Sequence, residues 1–408
     1  MAGGAARDGS PPRAPGTARP HVLLQVPTPS RRDALRRELA LVPGWHVSVV
    51  GSVDEALYGL ETHELDAVVC EVAPGDPATV LAHAQAHHPE VLRVALSLAD
   101  APSRSVDALR HAHTCLPRDA GPAAVAQALR LALRVRGLLR DHTLQALVVG
   151  LEVLPSVPQV LQQLLAELRG PDPSVARVGA LVEQDPASTM EVLHVVNSPL
   201  LGLRQQVNDA SLAVTLLGLE TVGAILVQQQ WLSQADAHTL ERLGLSRLFA
   251  HGLRTARRAA ALGHHFRRGH EATGAARAAG LLHDVGKLVL AINFPDKYRQ
   301  VQDLAESGEV PLRVAETLLI GAPHDWVGGH LLALWGLPDA IVEAVAFHHD
   351  PRHGDAAGSV ALGLVHLANR LEHACEADAS DELDRDYLAA IGCPVDPATW
   401  AHLLELDA

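Results

Sequence analysis

Aromatic side chains make up only 3% of this 408-residue chain, so its cores must be built from Leu, Val and Ala. That favours helix over strand except where β-branched residues cluster. The four cysteines, Cys70, Cys115, Cys375 and Cys393, form no CxxC pair, which argues against a zinc knuckle or a secreted disulfide frame and fits a reducing, cytoplasmic setting. No apolar run of the roughly 20 residues needed to span a membrane occurs, and the first twenty residues lack the apolar core of a signal peptide. A membrane partner is not expected. Those residues, 1–20, are rich in Gly, Ala and Pro and are expected to form a disordered tail. Basic residues are outnumbered, giving a net charge of -14, and this removes the counterion-displacing surface on which non-specific nucleic-acid binding depends. Lysine is nearly missing: only Lys287 and Lys297 occur.

What is present is a 48% apolar chain, long enough for two or three domains with real cores. From His21 the pattern alternates short β-branched runs, VLLQV, HVSVV, DAVVCEV, LRVALS and HTCLP, with amphipathic segments of helix length. Such alternation predicts a doubly wound parallel sheet with helices on both faces. Residues 21–135 resemble a response-regulator receiver domain, but one stripped of its chemistry. The acidic pair expected after the first strand is replaced by Gln25, Val26 and Pro27, so no magnesium site is expected there. Glu71 stands at the phosphoacceptor position and Leu116 at the conserved lysine, while Ser97 fits the hydroxyl position. Without magnesium, phosphoryl transfer lacks its charge neutralisation. The resemblance therefore implies a pseudo-receiver, with the longer Glu71 side chain as a permanent negative charge in place of phosphate.

The stretch from Asp119 to Val149 reads as one long helix, of which residues 136–150 link the two domains. Its leucines, Leu129, Leu133, Leu139, Leu144 and Leu147, offer a seam for a homodimer, although the repeat is too irregular for a coiled coil. Beyond it, Asp172 and Asp185 each precede a proline, the arrangement of an N-cap carboxylate beside a first-turn proline. Val175, Val178, Leu181 and Val182, and then Met190, Leu193 and Val196, recur at helical spacing and mark core faces. Asn197 and Ser198 ahead of Pro199 read as a helix stop. Residues 376–408 are expected to form a helical extension, with short helices near Asp384–Ile391 and Pro397–Leu406.

Between these signals lie LPSVP, VEQDPA, VVNSPLLGL, AVTLLGLETV, HGLRTA, AGLLHDVGKLVL, LALWGLP and a histidine pair in AFHHD. In this order they resemble the HDOD domain, the HD-related output domain of bacterial signalling proteins, over residues 151–375. The resemblance implies an all-α HD-superfamily fold. It also implies a ligand set of His251, His283, Asp284, His324, His348 and His349, with Asn369 at the position where that superfamily carries a final aspartate. Adjacent residues on a helix point about 100° apart, so His283 and Asp284 can share one ion only at a helix end, or Asp284 can bridge two.

Nitrogen-rich ligation with a single carboxylate suits iron, manganese, zinc or nickel better than a hard cation. Metal ions there would acidify a water for attack on phosphorus and screen phosphoryl charge, and Lys287 in the HDxGK pattern could contact a phosphate. Arg254, Arg257 and Arg258 could draw in an anion or simply face solvent. His264, His265, His270, His353, His366 and His373 are expected at the surface or at helix caps, and His330 behind the site or capping a helix. Two functions follow. One is a non-catalytic output module binding a signalling partner or a nucleotide. The other is a metal-dependent phosphohydrolase acting on a nucleotide or cyclic dinucleotide. Asn369, the lack of a GYP-type loop after HHD, and the degenerate receiver favour the first; the near-complete ligand set favours the second.

Overall fold

The computed structural model describes residues 19–72, 78–97, 111–139, 142–149, 158–170, 172–197, 203, 206–232, 245–308, 310–354, 358–374 and 383–395. The expected tail, the segment 98–110 between LRVALS and HTCLP, Ser198 and the helix expected near Pro397–Leu406 lie outside these residues. Five strands, β1 (His21–Gln25), β2 (His46–Val50), β3 (Ala67–Val72), β4 (Leu92–Ser97) and β5 (Thr114–Pro117), form one parallel sheet in the order β2-β1-β3-β4-β5. This is the doubly wound plan that the alternating pattern predicts. Side chains alternate between the two faces as the pleat requires. Val22, Leu24, Val69, Val94 and Leu96 join one core. Leu23, Val68, Cys70 and Ala95 join the other. Helices α1 (Pro29–Leu39) and α4 (Pro122–Arg136) supply Leu35, Leu39, Val125 and Leu129 to the first core. Helices α2 (Val53–Thr62) and α3 (Thr79–His87) supply Ala56, Leu60, Val80 and Leu81 to the second.

The stretch read as one helix is two. After α4 the chain breaks at Gly137 and resumes as α5 (His142–Val149). The break is held by the buried Gln145, whose amide donates to the carbonyls of Arg136 (3.4 Å) and Leu139. Leu129, Leu133, Leu139 and Leu144 are all buried, and Leu147 packs against the same cluster. These leucines are thus spent within the chain, in a core that runs without interruption from the sheet into the helical domain.

That domain comprises α6 (Pro158–Arg169), α7 (Val175–Val182), α8 (Pro186–Val196), α9 (Ala210–Leu232), α10 (Leu245–His265), α11 (His270–Leu282), α12 (Val285–Asn293), α13 (Pro295–Glu306), α14 (Leu312–Leu319), α15 (His324–Leu334), α16 (Asp339–Phe347), α17 (Val360–Ala374) and the short α18 (Arg385–Ala390). Asp185 caps α8 as expected, accepting from the Ser188 amide at 3.0 Å. Asp172 does not cap α7. Ser174 does, because the helix starts at Val175, and the Asp172 carbonyl instead accepts from Arg177 at 2.6 Å. Asn197 ends α8 and also ties down the following loop, donating to Val207 O and accepting from Val207 N. Gly218 kinks α9 with φ 77°, a left-handed conformation that a side chain would strain.

Helix α4 ties the sheet to the helical domain, because it packs on α15 and α16. The Arg134 guanidinium stands 5.0 Å from the Phe347 ring centroid and donates to Gly354 O at 3.0 Å. Gln127 donates to Asp339 at 3.4 Å. At the sheet end of α4, Arg136 donates to both the carbonyl and the carboxylate of Asp66. Glu71 has a partner that its position in the sequence did not reveal. Its side chain is 2% exposed and ion-paired with Arg118, the residue after Pro117, which supplies a cation where Leu116 cannot.

Candidate metal centre

Six helices deliver the ligand-type side chains to one buried point. Helix α11 ends at His283, its C-cap, and α12 begins at Asp284, its N-cap, so the HD pair occupies the junction between two helices. Helix α16 likewise ends at His348. At such ends the last carbonyls lack intrahelical partners, and the imidazoles use them: His283 Nδ1 donates to Gly280 O and His348 Nδ1 to Val345 O, both at 2.8 Å. These bonds place the proton on Nδ1 and turn each lone pair on Nε2 inward, the tautomer that a metal ligand needs. Gly286 brings the parts together. A Cβ there would lie 1.9 Å from His324 O, so only glycine lets α12 approach the start of α15 this closely.

Asp284 sits between two groups of histidines. Its Oδ2 lies 3.4 Å from His283 Nε2 and 3.9 Å from His251 Nε2. Its Oδ1 lies 3.2 Å from His324 Nε2 and 3.9 Å from His348 Nε2. Within the groups, His283 and His251 approach to 3.2 Å through their Nε2 atoms, and His349 and His324 to 3.1 Å. Ligands about 2.0–2.1 Å from a tetrahedral ion stand roughly 3.4 Å apart, so both trios, His251/His283/Asp284 and His324/His348/His349, are close to ligating geometry. His348 Nε2 is buried without a hydrogen bond among the described residues, at a cost to the fold that a bound ion would remove. The residues present therefore fit a metal.

The electrostatics fit as well. Burial pulls His251 down to about 4, helped by neighbouring His283, and holds His348 and His349 well below the usual imidazole range. Neutral imidazoles are the ligating form. Burial works against the charge on Asp284 too, yet His283, Lys287 and His324 outweigh it and keep the carboxyl well below its ordinary range. His324 is the exception: burial opposes its protonation, but the Glu316 carboxylate overcomes this and pushes it up to about 9. Glu316 is fully buried and accepts from His324 N at 2.9 Å and His324 Nδ1 at 2.7 Å.

Lys287 donates to Asp284 Oδ2 at 2.8 Å, so it neutralises the bridging carboxylate. Asn369 reaches the cluster through His251, its side-chain amide lying 3.0 Å from His251 Nε2. Arg254 and Arg258 are committed to Glu372 at 2.7 and 3.0 Å. His264, His265, His270 and His353 are exposed. His366 is not at the surface: it is buried, donating to His348 O at 2.7 Å and accepting from the Asp384 amide, so it joins the C-terminal segment to the site. His330 is buried, and burial, with a smaller contribution from Arg136 of α4, pulls its imidazole down to about 3.

The order of motifs could not single out Glu316. The signal was a lone acid on the apolar face formed by Leu312, Ala315 and Leu319, a position where a charge is found only when something holds it.

A family model described as the HDOD domain matches residues 154–351. An uncharacterized protein of Treponema pallidum (strain Nichols) is 24% identical over 230 residues, 53% of this chain and 41% of that protein, so the match spans less than half the relative's length. Among solved structures, the MmoQ response regulator from Methylococcus capsulatus str. Bath is 22% identical, with a TM-score of 0.48, covering 62% of this chain and 99% of that one. A virulence factor from Campylobacter jejuni subsp. jejuni is 19% identical, with a TM-score of 0.48, covering 64% and 94%. Among the described residues no helix is long and apolar enough to cross a membrane.

Proposed function

With an HDOD domain over residues 154–351 as the premise, we propose that this chain is a signal-transduction regulator. In this reading a pseudo-receiver is coupled to an output module that holds a divalent transition metal and binds a protein partner or a nucleotide without turning it over. The observation that carries the metal is Asp284, whose Oδ2 faces His251 and His283 while its Oδ1 faces the trio His324, His348 and His349. His251, His283 and Asp284 would hold an ion on one side. His324, His348 and His349 would hold one on the other, with Glu316 fixing the His324 ring.

Regulation without turnover is favoured by three features of the same centre. Asn369 supplies a neutral oxygen where the superfamily has an acid, and it is engaged with His251. Lys287 is bound to the bridging carboxylate rather than presented to a substrate. His283, Asp284, His324 and His348 are each 4% exposed or less, which leaves a substrate phosphate little access. Coupling has a physical route: α4, whose sheet end grips Asp66, touches α15 and α16, the helices that carry His324 and lead into His348. The receiver assignment is supported by the strand order and by Glu71 near the end of β3, already paired with a cation.

A working phosphohydrolase is the second reading, favoured by the bridging geometry itself. Bound ions would supply Lewis acidity and charge screening at a phosphoryl group, and Lys287 would have to leave Asp284 to meet the phosphate. Protein loaded with manganese, iron, zinc or nickel and incubated with cyclic di-GMP and common nucleotides is expected to bind without hydrolysis. Turnover abolished by Asp284→Ala would overturn the regulatory reading in favour of the enzyme.

A further inference from the structure

The sheet face opposite α4 carries a second group of ligand-type side chains. Glu61 lies in the last turn of α2, His83 in the middle of α3 and His88 at the C-cap of α3. In a continuous helix, residues five apart point about 140° from each other, so His83 and His88 would diverge. Pro89 prevents that by disfavouring helical backbone at the residue before it. His88 leaves the helix at φ -134°, ψ 57°, and its ring turns back beside His83, with centroids 6.1 Å apart.

Glu61 Oε1 then lies 2.7 Å from His83 Nε2 and 3.5 Å from His88 Nε2. One ligand atom from each residue falls within 4.8 Å of the other two. These separations straddle the roughly 3.4 Å edge of a tetrahedral site with 2.0–2.1 Å bonds. His88 Nε2 is shielded from solvent, yet it makes no hydrogen bond among the described residues. An exposed Glu–His contact contributes less than about 1 kcal/mol to stability, so the pairing alone does not account for an imidazole nitrogen held out of water.

We propose that Glu61, His83 and His88 form a second metal site, taking a zinc-class divalent cation with water in the fourth position and clipping α2 to α3. Two imidazoles and one carboxylate are the donors that borderline cations select over magnesium or calcium. The site is independent of the Asp284 cluster, because it shares no residue with it and lies on the far face of the sheet.

The test is a zinc titration of the full chain, stripped of metal and competed against a chromophoric chelator, for the parent, H83A/H88A and H283A/D284A. The expected result is that H83A/H88A loses one equivalent of zinc, or weakens it about tenfold or more, and also loses a zinc-dependent rise in Tm. H283A/D284A should retain that equivalent. If H83A/H88A binds zinc as the parent does, or if the parent binds none that these histidines control, the proposal is overturned. The outcome at the Asp284 cluster is read separately from H283A/D284A, and E61Q checks that the loss follows the ligand rather than damage to α3.

Discussion

Glu316 offers the sharpest handle on the central site. Its carboxylate makes two hydrogen bonds to His324, at 2.7 and 2.9 Å, and is fully buried. Replacing it with glutamine keeps the shape and an acceptor oxygen but removes the charge that holds the ring in place. Loss of such a support typically lowers metal affinity 10–100-fold, about 1.4–2.7 kcal/mol at roughly 1.36 kcal/mol per tenfold. Glu316→Ala should go further. Breaking a buried charge pair costs about 3–5 kcal/mol in folding stability, which would appear as a marked fall in Tm of the metal-free protein. The assay is chelator competition on parent and E316Q, with Asp296→Asn, an exposed acid paired with Arg299 on the protein surface, as the control. Affinity for E316Q within about threefold of the parent, a difference of roughly 0.6 kcal/mol, would refute the claim that Glu316 positions a ligand.

Three further outcomes follow from other parts of the chain. Gly286→Ala forces a methyl against His324 O and should cost about 1–3 kcal/mol or more, with loss of metal binding; denaturant unfolding and metal analysis check it. Arg118→Ala leaves the carboxylate of Glu71 buried without its partner and should destabilise by about 1–3 kcal/mol at neutral pH. Adding Glu71→Gln should restore most of that loss, and a double-mutant cycle reads the coupling. Burial pushes Glu191 up to about 7 from the usual 4.5, so the folded state favours its protonated form. Its effect is absent below about pH 4.5 and grows into a destabilisation as pH rises through 7. Glu191→Gln should match the parent at pH 4 and be more stable at pH 8, by no more than about 3 kcal/mol; equal stability at both pH values would contradict this.

Much of the fold was legible because its signals are local. Alternating β-branched runs set the sheet, and Asp185-Pro186 set the start of α8, since each depends on residues within one turn or one strand. The failures share a different character. Ser174 and Asp172 are both good caps two residues apart, and Glu167 of the preceding helix accepts from both the Ser174 amide and the Arg177 guanidinium at the start that is used. The break at Gly137 depends on Gln145 reaching back into the turn. Arg118 finds Glu71 across 47 residues, so the partner of that charge was not legible. The site was legible as a list of ligand-type residues that come together, because His283-Asp284 and His348-His349 stand as adjacent pairs. Its division into two trios was not, because that depends on which oxygen of Asp284 faces which helix. The burial of His366 was hidden for the same reason: its partners, His348 O and the Asp384 amide, are each 18 residues away.

The measurement that bears most directly on the metal centre is the metal content of protein purified without chelators, compared with His283→Ala/Asp284→Ala protein of verified fold. The account predicts stoichiometric transition metal in the parent that falls with loss of the bridging carboxylate. A folded parent that carries no metal, and takes up none that depends on His283 and Asp284, would contradict it.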